Sequence, residues 1–302
     1  MGDLMEWLIL IVVIILVILF LSNKNTSGFS RTSGELEIKQ IRGLKKLSDH
    51  LDESLSTSFM EKVEERVRRK NKLKENEYEW RLLDLKRYFI LTALLKETPM
   101  FSEKVDELWH EMLMFTREYD DFSKKYLGKT LHHSPNVTVE SNPDLRGFFD
   151  WIYSELFFIR KENIHLYTGF FRHPVHPKIL EEFRDLSEQE LIERYFNSES
   201  NYMETILSLI SAMKYSASGV KNYEKPIVRE MMKKGKNEQD FNAMIFPFLA
   251  VSFFHYDEFS SYMKISNNSA SSCTSCGSAN SSSCSNNSCS NSSCSSCGGG
   301  GD

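Results

Sequence analysis

No cysteine precedes Cys273; all six lie from there on, inside a tail of Ser, Asn and Gly. The part of the chain able to fold therefore has no disulfide framework. No segment alternates apolar and polar residues between hairpin turns, which argues against a sheet. A Walker loop, G-x-G-x-x-G, G-x-S-x-G and H-E-x-x-H are all missing, and with them the readable signatures of nucleotide, dinucleotide, serine-hydrolase and zincin chemistry. Charge of one sign is not in excess either. A net charge of −5 over 302 residues carries no signal for nucleic acid.

Among the features present, the strongest is an apolar run, LILIVVIILVILFL from Leu8 to Leu21. Counted from Leu4 it approaches the roughly 20 residues needed to cross a bilayer. Asp3 and Glu6 stand where a secretory signal would carry basic residues, and no small-residue cleavage pattern follows Leu21, so the run reads as an uncleaved anchor over residues 1–22. Glu6 also breaks the myristoylation motif that Met-Gly would open. Lys24, Arg31, Lys39, Arg42, Lys45 and Lys46 follow the run and no basic residue precedes it. The positive-inside rule then predicts a single-pass cell-membrane protein with its N-terminus outside and its body cytoplasmic.

Residues 23–75 read as a polar and charged helical linker. Its basic run (Arg66, Arg68, Arg69, Lys70, Lys72, Lys74) lies among Glu61, Glu64, Glu65 and Glu75, so it reads as a solvated helix face more than a lipid-binding stripe. In the tail, residues 266–302, Cys273-x-x-Cys276 and Cys294-x-x-Cys297 match a zinc-ribbon spacing. The residues between them offer no core, which favours a disordered, low-complexity segment.

The body, 76–265, reads as all-α. Tyr78 to Lys96 is a helix stopped by Pro99, and Ser102 is an N-cap. Ser187 and Glu190 form a capping box, and Tyr202 to Tyr215 is a further helix. Phe241 to Tyr262 reads as a helix kinked at Pro247, too short in its apolar part to be a second span. Arg172-His173-Pro-Val-His176-Pro reads as a rigid turn.

Chemistry concentrates in VDELWHEMLMFTREYDDFSKKYLGKTLHHSP, Val105 to Pro135. Asp106 and His110, at i and i+4, share one helix face, and His132 and His133 could add ligands for zinc. The competing reading makes Trp109 and His110 core residues, with Asp106 orienting the imidazole. Distance separates the two. If Ser102 to Gly128 is one helix, His110 and Gly128 lie ~27 Å apart, and four more residues recover at most ~14 Å. Convergence needs a break, and Thr116 could cap a second helix there. The apolar spacing passes through Thr116 without a phase change and so predicts continuity, with His110 against the core and away from His132 and His133.

Val105-Asp106-x-x-Trp109-His110, Tyr119-x-x-Phe122, Gly128 and His132-His133-x-Pro135 resemble the core motif of the glycine-rich domain-containing protein family, over Leu85 to Pro135. The resemblance implies a membrane-anchored protein with a Gly- or Cys-rich tail and no established reaction. Met112 and Ser123 stand where relatives often carry His and Cys, so two potential ligands are missing. Asp106, Trp109, His110, Tyr119, His132 and His133 are the candidate binding residues. The favoured expectation is a scaffold with the lipid bilayer and a further protein as partners, no nucleic acid and no cofactor. The alternative is a metal-dependent enzyme or metal-binding protein, with zinc at the Asp-x-x-Trp-His and His-His-x-Pro motifs.

Overall fold

The computed structural model describes residues 36–74, 76–133, 143–167, 169–220 and 241–263, and of Pro143 and Asp144 only the backbone. The expected anchor, residue Pro135 and the cysteine tail lie outside the described residues. Twelve α-helices and one 3-10 turn, Asn242–Met244, are found among the described residues. The first five are α1 Leu44–Ser54, α2 Thr57–Lys70, α3 Glu77–Leu94, α4 Glu103–Leu113 and α5 Thr116–Leu127. Next come α6 Pro143–Leu156, α7 Lys161–Leu166, α8 Pro177–Asp185, α9 Glu188–Tyr195 and α10 Met203–Gly219. Last are α11 Ile245–Phe254 and α12 Phe259–Tyr262. Among the described residues, extended pairing is limited to two isolated antiparallel bridges, Ile38 with Phe157 and Leu95 with Phe196. The architecture is all-α, and no helix among the described residues is long and apolar enough to cross a membrane.

The core is continuous and reaches further back than the composition suggests. Leu44, Leu47 and Leu51 of α1 and Phe59, Val63 and Val67 of α2 are buried. They follow the i, i+3/i+4 spacing of an amphipathic stripe, within the stretch expected to be linker. Here α1 packs on α3 and α5, and α2 packs on α4. The charged faces of α2 turn outward, where Arg68 pairs with Glu64 and Glu79 and Arg69 with Glu65. Arg66 and Lys70 instead reach Glu111 of α4, whose side chain is buried.

α3 is the centre of the molecule and is enclosed almost all round; Leu85, Phe89, Ile90 and Leu91 are buried together with Asp84 and Arg87. Asp84 accepts hydrogen bonds from the Tyr153 hydroxyl and from Asn163 Nδ2 at 2.8 Å. Arg87 donates to the Leu36 carbonyl at 2.8 and 3.1 Å and to the Tyr153 hydroxyl at 2.7 Å. Burial holds the Asp84 carboxyl above the ordinary range, against the opposing pull of Arg87, Tyr153 and Asn163. A second buried pair, Arg146 with Asp150 at 2.8 Å, organises the turn after α7 by donating to the Tyr167 and Gly169 carbonyls.

Several local predictions meet the structure directly. Ser102 caps α4 by accepting from the Val105 N–H, Gly128 closes α5 with φ 74°, and Ser187 and Glu190 form the capping box of α9. The Arg172–Pro177 turn ends with His176 capping α8 through Nδ1, 3.2 Å from the Lys178 N–H. Its Pro174 carbonyl lies so close to α6 that a Cβ on Gly147 would sit 2.0 Å from it. Phe241 to Tyr262 needs correction. Pro247 lies in the first turn of α11, where its missing N–H has no intrahelical partner to lose. The interruption comes instead at residues 255–258, between α11 and α12.

Candidate metal centre

The predicted single helix from Ser102 to Gly128 is two helices. α4 ends at Leu113, and Phe115 leaves helical geometry with φ −101° and ψ 65° before α5 begins at Thr116. Thr116 is thus the first helical residue and not the cap, and no side chain caps α5. The apolar spacing stays in phase because both arms use it, but tertiary contacts bend the corner. Phe115 packs edge-on against Phe59 of α2, with ring centroids 6.1 Å apart. Across the corner, Trp109 Nε1–H donates to the Tyr119 hydroxyl at 3.0 Å. In an unbroken helix those residues would be ~15 Å apart along the axis.

The same two residues draw the following loop back over α4. Gly128 turns the chain, and the Tyr119 hydroxyl donates to the Leu131 carbonyl at 2.8 Å. Thr130 adds a 2.6 Å bond to Asp120. His133 arrives edge-on against the Trp109 ring at 4.4 Å and beside the His110 ring at 4.5 Å. Its Nε2 lies 2.7 Å from Asp106 Oδ1. His110 Nδ1 lies 2.9 Å from the Asp106 carbonyl and 3.4 Å from Oδ2. Asp106, His110 and His133 thus each offer a ligand atom within 4.8 Å of the others.

The six candidate residues therefore divide. Trp109 and Tyr119 are buried and act as the pins of the corner. Asp106, His110 and His133 converge. His132 does not join them, although it lines the adjoining cleft. His110 also departs from expectation: its side chain is 49% exposed and does not lie against the core. Its i, i+4 relation to Asp106 places it on the outer flank of α4, while Trp109 takes the inner one. Met112 is fully buried and Ser123 donates its hydroxyl to the Tyr119 carbonyl, so both are structural.

Beside the cluster opens a cleft of about 780 Å³. Its apolar walls come from Tyr88 of α3, Phe148, Phe149 and Ile152 of α6, Ile179 of α8 and Tyr195 of α9. Asp106 and His133 form part of the lining, so the polar cluster faces a largely apolar space. Sequence reasoning did not find these walls. Each residue reads as an ordinary core position of its own helix, and only the packing of four helices leaves a gap between them. The buried Asp84–Arg87 pair had only a weak signal: Arg81, Asp84 and Arg87 recur every third residue on the buried side of α3, but Glu77, Glu79 and Lys86 of the same helix are charged too.

A family model described as UCP032817-like matches residues 48–153. The matched stretch runs from α1 into α6, and it holds all six candidate residues and the corner that joins them. No curated protein and no solved structure matches the chain.

Proposed function

We propose that this protein binds a divalent metal ion through Asp106, His110 and His133 and presents it to a ligand in the adjoining cleft. The observation supporting this is the convergence of three ligand atoms from a helix and a loop that sequence distance alone would separate. Two imidazoles and one carboxylate suit zinc or iron(II). Three protein ligands leave coordination open for water or substrate, unlike the closed four-ligand set of a structural zinc site. In such a site the metal acts as a Lewis acid or activates water, and the apolar walls would take the hydrophobic part of the substrate. The reading ranks above a scaffold without chemistry because a scaffold does not require Asp106, His110 and His133 to meet. We further propose that residues 1–22 anchor the protein in a bilayer with the body on the cytoplasmic side.

The metal test uses the full chain with its tail cysteines alkylated, so that thiolates do not compete, and titrates it with cobalt(II). One equivalent should bind, with visible bands of nitrogen and oxygen ligation. His110→Ala and His133→Ala should each abolish those bands, and His132→Ala should leave them unchanged. Imidazoles ligate only when neutral, so affinity should fall on acidification. Folded protein that takes up no metal, or that binds equally well in both variants, would overturn the reading.

A further inference from the structure

One face of α3 floors the cleft beside Asp106 and His133. Tyr88, Thr92 and Leu95 line it at i, i+4 and i+7, a spacing that covers about 10 Å of helix. The floor begins next to the proposed metal ligands: the Tyr88 ring lies 5.3 Å from that of Trp109, and the Trp109 ring 4.4 Å from that of His133. It ends at Lys96, whose N–H donates to the Tyr195 carbonyl at 3.1 Å and whose Nζ donates to the Glu193 carbonyl at 3.1 Å. Lys96 also lines a second hollow of about 560 Å³, together with Asn197, Ser198 and Asn201. It therefore stands where apolar walls give way to polar ones.

Two polar groups at that end are not used up by the fold. Lys96 and Arg194 are the Lys and Arg side chains of the cleft lining. Arg194 pairs with Glu182 at 2.7 Å. No carboxylate of the described residues pairs with Lys96, whose Nζ has only the neutral Glu193 carbonyl. Thr98, two residues on, lines the same cleft and carries a buried hydroxyl with no hydrogen-bond partner among the described residues. A buried donor of this kind calls for an acceptor, and a ligand anion beside Lys96 supplies one. Glu97 lies between them in the chain and lines the cleft as well. Its charge repels a doubly charged phosphate more than a singly charged carboxylate.

We infer that the cleft takes an amphiphilic carboxylate of medium chain length. Its apolar chain lies along α3 against Phe148, Phe149 and Ile152, Lys96 and the Thr98 hydroxyl hold the carboxylate, and the other end of the chain reaches the metal. Only the last clause rests on the metal reading. The carboxylate end is tested by equilibrium dialysis of octanoate against full-length, metal-free protein, in buffer or in phosphatidylcholine nanodiscs with protein-free discs as the blank. One equivalent should bind. Lys96→Gln should weaken it about tenfold or more, through loss of a charge-assisted contact. Thr98→Val keeps the shape and should weaken it by a smaller factor without lowering stability, and neither change should alter the weaker binding of octanol. Absence of saturable octanoate binding, or unchanged binding in Lys96→Gln, would overturn the inference whatever the cobalt result. The metal end is read in the cobalt-loaded chain with alkylated tail cysteines. There ω-mercaptooctanoate should produce a thiolate-to-cobalt band, at higher concentration in Lys96→Gln than in the parent. Mercaptopropanoate, too short to reach both ends, should act alike on the two. A chain that binds octanoate but takes up no cobalt would refute the metal reading alone. Cobalt bands that respond to ω-mercaptooctanoate equally in parent and variant would overturn the placing of the chain between Lys96 and the metal.

Discussion

Two carboxylates on neighbouring helices, Asp84 on α3 and Asp106 on α4, meet opposite fates. Asp84 has no exposed surface, and both its oxygens accept hydrogen bonds, from Tyr153 and Asn163, with Arg87 close behind. Asp106 is 30% exposed, and its nearest polar neighbours are two imidazoles that can donate a proton or offer a lone pair. The first group is closed: every strong donor and acceptor faces a partner, and the network ties Leu36, α3, α6 and α7 together. The second is open on the solvent side and on the cleft side. A fully satisfied buried network specifies a structure, whereas a partly exposed set of ligands can exchange its internal bonds for an ion.

The widest separation between the two should appear on removing each acid. Asp84→Ala leaves the buried Tyr153 hydroxyl and Asn163 amide without their acceptor and the buried Arg87 guanidinium with the partly exposed Glu37, 3.6 Å away, as its remaining carboxylate. The change should cost about 3–5 kcal/mol in denaturant unfolding. Asp106→Ala should change stability by about 1 kcal/mol or less, yet abolish cobalt binding. Equal costs would erase the distinction.

A smaller effect tests what holds the open site together. Tyr119→Phe deletes the hydroxyl between Trp109 and the Leu131 carbonyl. Leaving the buried indole N–H unpaired should cost about 1–3 kcal/mol. It should also weaken cobalt binding, because the loop that delivers His133 loses its pin. Weaker folding with unchanged metal affinity would show that the loop is held by other contacts.

The smallest effect concerns Glu111, which joins α4 to α2. Burial pushes its carboxyl up, but hydrogen bonds from Lys70 and Arg66 outweigh this and leave it below the ordinary carboxylate range. A depressed folded value means that the unfolded chain takes up the proton first on acidification. The contribution is therefore complete above the ordinary carboxylate range and is lost as the pH falls through it toward the folded value. Glu111→Gln should cost about 1 kcal/mol or less at neutral pH, and the difference from the parent chain should shrink as the solution is acidified.

The sequence by itself determined the helical class, the caps at Ser102 and Ser187 and the stop at Gly128. These depend on residues within a few positions of one another, and local hydrogen bonding decides them. It also placed Trp109 and Tyr119 on a buried stripe and Asp106 beside His110 on one helix face. The break at Phe115 was not legible, because a corner that preserves the apolar phase looks like a continuous helix. Phe59 and the Trp109–Tyr119 bond impose it from outside that stretch. The early segment was legible as helix, but its place in the core was hidden for a related reason: the charged faces dominate composition, while three buried apolar residues apiece suffice to seat α1 and α2. Only the tertiary structure decided that His133 and not His132 meets Asp106. Adjacent loop residues point in different directions, and the pin at Leu131 selects which of them faces the helix.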